Sequence, residues 1–224
     1  MFAPQSVLVC RRMTLRLLLA ALIALGLAAP AAAHPHVWVK TVSELIYAAD
    51  GSVTGIRQHW SFDDMFTAFA VQGLEAKEKG KYTREELAPL AKVNVESLKE
   101  YDYFTFATAD GKKTALDEPT ADYWLDYKDE ILTLNFTLPF KQPVKAKDLK
   151  VEIYDPTYFI DFQLAKDTPA KLVGAPAQCK LATELPRQLT FQEEKALAQI
   201  AADEKNTTMT WGQVFANKIL VKCP

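Results

Sequence analysis

Long apolar runs, an excess of positive charge and the motifs of the common enzyme classes are all lacking after Ala33. No later apolar stretch approaches the roughly 20 residues that a membrane-spanning helix needs. The formal net charge is −2 over 224 residues, and no basic stripe is visible, which argues against a nucleic acid partner. The chain has no nucleophile elbow, phosphate-binding loop, H-E-x-x-H or dinucleotide-binding pattern. The sequence therefore gives no positive sign of an enzyme.

The first 33 residues have the three parts of a secretory signal peptide. The apolar run Leu17 to Ala29 is too short to span a membrane, and the small residues Ala31 to Ala33 follow it. The basic residues before the run are Arg11, Arg12 and Arg16. We expect cleavage after residue 33, which lowers the net charge from −2 to −5 and leaves residues 34–224 as a single periplasmic domain.

Cysteine is scarce, with three in the chain. Cys10 lies in the expected signal peptide, which leaves Cys179 and Cys223. Two cysteines in an oxidising compartment most simply form a disulfide, and their wide spacing gives no support to a zinc motif. We expect a Cys179–Cys223 bridge that ties the C-terminal segment to the body of the domain.

The composition, with 49% hydrophobic and 24% charged residues, is that of a globular protein. Val37 to Tyr47 and Val53 to Phe62 predict two strands that flank the turn Ala49-Asp50-Gly51. Strands that pair with their neighbours, interrupted by helices, indicate an α+β fold built on antiparallel hairpins. Further pairs of β-runs are Tyr103 to Thr108 with Lys113 to Leu116, Tyr123 to Tyr127 with Ile131 to Leu138, and Leu149 to Tyr154 with Phe159 to Leu164.

A helical insertion is expected at residues 65–99. Met65 to Lys77 has helical composition, and so does Thr83 to Lys99. Thr83 begins the second helix, because Glu86 completes a capping box three residues later. Towards the C-terminus the pattern predicts a loop at Thr168 to Ala177 and C-terminal helices from Thr190 to about Glu204 and from Trp211.

The segment Glu75 to Glu86, between the two predicted helices, has the frame of an EF-hand calcium loop. A glycine, Gly80, stands at the sharp turn, and Glu86 stands at the last ligand position. Lys77 and Lys79 place ammonium groups where calcium needs oxygen atoms. The insertion is therefore predicted to be an EF-hand-like helix pair that does not bind calcium.

All three histidines lie in the first part of the expected mature domain: His34, His36 and His59. Cleavage after Ala33 leaves His34 with a free α-amine beside its imidazole, and His36 follows two residues later. Imidazole suits zinc, copper, nickel and cobalt, so the ligand types alone do not choose among these metals. The alternative is that a poorly ordered N-terminus contains two histidines by chance and that neither is a ligand.

The hairpin register decides which side chains can join the two N-terminal histidines. With a two-residue turn at Asp50-Gly51, Trp38 faces Asp63, and His36 lies on the same side of the sheet as Asp63. A turn longer by one residue would reverse the faces and bring Asp64 forward. His59 lies roughly 20 Å further along, at about 3.3 Å per residue, so a structural role is preferred for it. The predicted metal ligands are His34, His36, and Asp63 or Asp64.

A dense aromatic and acidic stretch, Tyr154 to Phe162, contains one unusual acid. Asp161 lies between Ile160 and Phe162, where an acid needs a partner or solvent. It either supports the metal site from outside the ligands or meets a basic side chain.

Several segments recur together in one known family: HPHVW, HWSFDDMF, the EF-hand-like loop, YDYFTF, LNFTLPF, YDPTYFIDF and the closing cysteine. In this order they resemble the domain-of-unknown-function family one thousand and seven, bacterial exported proteins described as periplasmic components of an uncharacterised ABC-type transport system. The resemblance covers essentially the whole chain after residue 33. It implies a periplasmic location and association with nickel/cobalt or zinc handling systems, without a proven activity. Many relatives keep acids in the EF-hand-like loop, whereas this chain has Lys77 and Lys79, so any calcium role is not carried over to this chain.

Three functions therefore remain open. The first is a periplasmic accessory protein that holds or hands over one divalent transition metal (zinc, nickel, cobalt or copper) for an inner-membrane metal transporter. The second is a copper enzyme built on an N-terminal histidine brace, which uses the same His34. The third is a non-catalytic interaction protein whose histidines do no chemistry. The first is the prediction.

Overall fold

The computed structural model describes residues 36–224 with the exception of 79, 120–121, 194 and 196–210. The predicted signal peptide, the predicted ligand His34 and most of the helix predicted at 190–204 lie outside these residues. In the part of the chain that the structure describes, no helix is long and apolar enough to cross a membrane.

The fold is α+β, as predicted, and consists mostly of strand. The strands are β1 (Val37–Tyr47), β2 (Val53–Phe62), β3 (Thr105–Ala109), β4 (Lys112–Thr114), β5 (Tyr123–Lys128), β6 (Ile131–Val144), β7 (Asp148–Ile153), β8 (Ile160–Leu164), β9 (Ala170–Val173), β10 (Lys180–Glu184) and β11 (Asn217–Lys222). Helices α1 (Asp64–Ala70) and α2 (Arg84–Leu98) lie between β2 and β3, and 3-10 helices span Lys99–Phe104 and Trp211–Phe215.

These strands form two sheets. The six-stranded sheet has the order β5-β6-β2-β1-β8, with β9 also paired to β1, and the five-stranded sheet has the order β10-β11-β7-β3-β4. Strands β8 and β9 run parallel to β1, one beside each half of it, and the other pairs are antiparallel.

The hairpins predicted for β1–β2, β3–β4 and β5–β6 are confirmed, but two other predictions are wrong. Strands β7 and β8 do not pair, because the turn after β7 carries the chain from one sheet to the other. The loop predicted at 168–177 contains β9. This strand has four residues, so its pattern is too short to stand out in a segment rich in proline and alanine.

The core lies between the two sheets and is rich in aromatic side chains. Trp60 of β2 is buried and packs edge to face against Phe136, with ring centroids 4.8 Å apart. The Phe162 ring centroid lies 4.8 Å from that of Trp60. Phe104, which directly precedes β3 of the second sheet, has its ring centroid 6.4 Å from that of Trp60. Burial alternates along β1 and β2, so each of these strands turns one row of side chains to the core and the other to the opposite face. We call that opposite face of the six-stranded sheet the outer face.

The β1–β2 register is the predicted one, although the turn is not. Val42 pairs with His59, as expected. The turn holds three residues rather than two between Ala48 and Ser52, because the Ala48 N–H donates to the Ser52 carbonyl at 2.8 Å. A bulge at Thr54 in β2 absorbs the extra residue and restores the register. The bulge therefore keeps the predicted residues on the outer face.

The helical insertion exists, but it is not the EF-hand-like pair that the sequence predicts. Helix α1 ends at Ala70 rather than at residue 77, since Gly73 adopts a left-handed φ of 81° just beyond it. No helix therefore leads into the EF-hand-like loop from its N-terminal side. The capping box at the start of α2 is confirmed, with Thr83 and Glu86 bonded reciprocally.

The predicted disulfide is confirmed. Cys179 is bonded to Cys223, beside the Lys180–Lys222 pair of β10 and β11. The bridge therefore joins two neighbouring strands of the second sheet at one end.

Candidate metal centre

His36 lies just before β1 and is exposed at the outer face. Its backbone N–H donates to the Phe159 carbonyl at 2.9 Å. Its imidazole lies against the Phe159 ring, with the centroids 4.8 Å apart. These contacts with the segment that leads into β8 fix where the histidine enters the sheet. The other predicted histidine ligand, His34, lies outside the described residues.

Asp63 joins the end of β2 to the start of β1 and to α1. Its Oδ2 accepts the Trp38 N–H at 2.8 Å, and its Oδ1 accepts the Phe66 N–H at 2.8 Å as the N-cap of α1. Its own N–H donates to the Trp38 carbonyl at 3.0 Å. Asp64 is the exposed first residue of α1, and among the described residues its Oδ1 accepts only the N–H of Met65, at 2.9 Å. Both carboxylates are thus engaged by backbone groups, Asp63 through both oxygens.

Asp161 reaches the same end of the outer face from the other side of β1. The parallel pairing of β1 with β8 places Asp161 opposite Trp38. Gln163 donates to Asp161 Oδ2 at 2.7 Å. Burial raises the pKa of Asp161, and the hydrogen bond from Gln163 opposes this rise. No Lys, Arg or His among the described residues pairs with the carboxylate.

Tyr158 lies close enough to Asp161 for the charge of that carboxylate to affect its hydroxyl. Burial raises the pKa of the Tyr158 hydroxyl to about 12, and the negative charge of Asp161 adds to the rise. The ring stacks on Phe215 of the last 3-10 helix, with centroids 3.8 Å apart. Asp161 therefore lies beside aromatic side chains that partly shield it from water.

The structure thus brings His36, Asp63 and Asp161 to one end of one face. Among the described residues, no group of three or more His, Cys, Asp or Glu side chains is arranged to hold a metal ion. A site here needs a further ligand from outside these residues, and His34 is two residues away from His36 in sequence.

His59 lies elsewhere on the outer face, within a polar network. Its Nδ1 is 2.6 Å from Asn135 Oδ1, and its Nε2 is 3.9 Å from Glu44 Oε1. Glu44 also pairs with Arg57 at 3.4 Å and with Lys171 at 3.6 Å. These contacts account for His59 without a ligand role, in line with the structural role preferred for it.

The EF-hand-like loop engages its last acid internally. Glu86 accepts the Lys77 N–H at 2.9 Å and the Thr83 N–H at 2.8 Å. These backbone hydrogen bonds lower the pKa of Glu86, the one from Thr83 most. The carboxylate that would bind calcium in an EF-hand instead closes the loop and caps α2.

The chain is similar to one protein family and to two proteins whose descriptions name no function. The model of a family described as "Protein of unknown function (DUF1007)" matches residues 19–223. An uncharacterized protein of Haemophilus influenzae is 22% identical over 215 residues, which cover 94% of this chain and 98% of that protein. An uncharacterized 15.5 kDa protein encoded in the trpE 3' region of Spirochaeta aurantia is 34% identical over 94 residues, 42% of this chain and 66% of that protein.

Proposed function

We propose that this chain, which belongs to the DUF1007 family of proteins of unknown function, is a periplasmic accessory protein that binds one divalent transition metal. The protein holds or hands over zinc, nickel, cobalt or copper for an inner-membrane metal transporter. His34, with its imidazole and its α-amine after signal cleavage, and His36 supply the nitrogen ligands. A neighbouring carboxylate, from Asp63 or Asp64 in the predicted set, completes the site.

One observation carries the proposal. His36 is exposed where β1 begins, and a carboxylate stands beside that point on each side, Asp63 at the end of β2 and Asp161 in β8. An imidazole flanked by carboxylates supplies the nitrogen and oxygen donors that divalent first-row metals take. Cleavage after Ala33 would add a third donor group directly before β1.

The surroundings of the site also suit a protein that meets a partner. Trp38 is 39% exposed and Phe159 is 45% exposed, and both lie at the same end of the outer face as His36. Aromatic side chains are enriched at protein interfaces. A transporter could therefore contact the face that presents the metal.

The test uses protein recovered after export, with an intact mass that establishes whether it begins at His34. Calorimetric titration with zinc, nickel, cobalt and copper should show about one ion bound per chain. His36→Ala should weaken binding at least about tenfold, because it removes an imidazole ligand. His59→Ala is the matched control and should change the affinity much less, because its ring is held by Asn135.

Equal losses of metal affinity in His36→Ala and His59→Ala would contradict the assignment of His36 as a ligand. If the native protein takes up none of the four metals, the proposal fails and the interaction protein becomes the better explanation. Turnover of a reductant by the copper-loaded protein would instead support the histidine-brace enzyme.

A further inference from the structure

We propose that Asp161, rather than Asp63 or Asp64, is the carboxylate that binds the metal together with His36. This inference rests on the proposed function and changes the ligand set predicted from the sequence. It gives the site ligands from two parts of the chain, the segment before β1 and the parallel strand β8.

Asp63 is already used for the fold. Its two oxygens accept N–H groups from β1 and from α1, at 2.8 Å each. A metal bound there would compete with the hydrogen bonds that fix the end of β2 and the start of α1. Asp64 stands on α1 rather than on the sheet, and its hydrogen bond to Met65 is purely local. Asp63 therefore positions the backbone beside the site without binding the ion.

Asp161 offers a carboxylate oxygen that no described residue engages, whereas both oxygens of Asp63 are engaged. Trp38 pairs with Asp161, so His36 and Asp161 are diagonal neighbours on the outer face. Such neighbours lie about 7–8 Å apart, a separation that an imidazole and a carboxylate can close around one ion. Gln163 holds Oδ2, and Oδ1 has no hydrogen-bond partner among the described residues.

No positively charged side chain among the described residues neutralises the charge of Asp161. The carboxylate is partly buried, next to Tyr158 and opposite Trp38. Keeping an ionised acid away from water without a cation costs free energy. A bound divalent cation would offset that cost, and Gln163 would orient the carboxylate, as partners outside the ligand set commonly do. The ligand is thus a divalent cation that accepts mixed nitrogen and oxygen donors.

The experiment compares three isosteric variants of the exported protein: Asp161→Asn, Asp63→Asn and Asp64→Asn. Zinc affinity is measured by calorimetry, and the visible spectrum of bound Co²⁺ reports on the ligands directly. Asp161→Asn should weaken zinc binding at least about tenfold and alter the cobalt spectrum. Asp64→Asn should retain the affinity and spectrum of the native protein. Asp63→Asn keeps an acceptor for the N-cap but not for the Trp38 N–H, so its folded form should keep both properties while its melting temperature falls.

Thermal unfolding of the metal-free variants separates ligand loss from misfolding. Asp161→Asn should melt at least as high as the native protein, because it removes a partly buried charge. Should it fail to fold, Gln163→Leu provides the second variant, which should weaken zinc binding through the misplaced carboxylate. Native-like zinc affinity and cobalt spectrum in Asp161→Asn, or an equal loss in Asp63→Asn, would overturn this assignment. Failure of the native protein itself to bind any of the four metals would instead refute the proposed function.

Discussion

Asp50 shows how much a single exposed side chain can contribute at a turn. Its carboxylate accepts the Ser52 hydroxyl at 2.6 Å and the Ser52 N–H at 3.0 Å, and Lys145 pairs with it at 3.3 Å. These contacts lower the pKa of Asp50 to about 2 from its ordinary 3.8, and the Ser52 hydroxyl has the largest effect. Because the folded-state pKa is the lower one, the stabilisation is present above pH 4 and is lost as the pH falls through about 2.

We therefore expect Asp50→Ala to lower the Tm at pH 7, where it also leaves the buried Ser52 hydroxyl without its acceptor. The deficit should shrink below pH 4 as Asp50 of the native protein becomes protonated. Thermal unfolding monitored between pH 7 and pH 2 measures it. Asp167→Ala is the control, because Asp167 is exposed and makes no hydrogen bond to the described residues. A pH-independent deficit for Asp50→Ala would contradict the charge-based explanation.

At the candidate metal centre, the sequence predicts which residues of the β1–β2 hairpin lie together, but not which residue of β8 joins them. His36 and Asp63 follow from the periodicity of β1 and β2 and from a single turn. Asp161 is distinguished in the sequence only by the apolar residues on either side of it. Its place beside β1 depends on a parallel pairing between distant segments, which no local pattern encodes.

At the scale of elements, Asp63 connects three of them. It caps α1, bonds the start of β1 and ends β2. The sequence identified this acid as a ligand candidate because it shares a face with His36. The structure shows that the same position also serves the helix start, for which aspartate is a favoured N-cap.

Asp63→Ala should destabilise the protein by about 1–2 kcal/mol, since it removes a helix cap and the acceptor of the Trp38 N–H. Chemical denaturation measures the free energy of unfolding. Asp64→Ala is the matched neighbour and should cost much less, because within the described part of the chain the Asp64 carboxylate bonds only the next residue. Equal costs would show that the connection between β1 and α1 does not depend on Asp63.

The register of β1 and β2 is the predicted one, although the turn between them is not. The predicted two-residue turn has three residues, and a bulge at Thr54 cancels the difference. Turn length and bulge are each difficult to infer from one sequence, whereas the alternation of buried residues in both strands fixes the outcome. The register was therefore predictable although the details that produce it were not.

At the scale of the whole molecule, the disulfide fastens the second sheet. Cys179 and Cys223 are 44 residues apart, and closing a loop of this length stabilises the folded state by about 4 kcal/mol in the chain-entropy model. The double variant Cys179→Ser/Cys223→Ser should lose about 2–4 kcal/mol of unfolding free energy. Its zinc affinity should remain that of the native protein, because the proposed ligands belong to the other sheet.

Denaturant unfolding and calorimetry on the same preparation check both halves of this expectation. A double variant as stable as the native protein would contradict the loop-closure argument. A loss of metal binding that exceeds the fraction unfolded would show that the two sheets are coupled. The order of strand and helix patterns predicted the class of fold, and the number of cysteines with the expected compartment predicted their pairing. The division into two sheets depends on where the chain crosses at Asp155-Pro156, which resembles an ordinary hairpin turn in sequence.

The parallel pairing of β1 with β8 also sets an order of events during folding. Residues 37–41 of β1 pair with residues 160–164, so more than half of the chain must be made before the first half of β1 meets this neighbour. Contacts of such high sequence separation slow folding, because the entropy of closing a long loop is lost before the contact forms. In a nascent or translocating chain, His36 would emerge early but stay without Asp161 until β8 docks. The proposed centre would therefore be complete only after β8 docks, which would keep a partly folded chain from trapping metal prematurely.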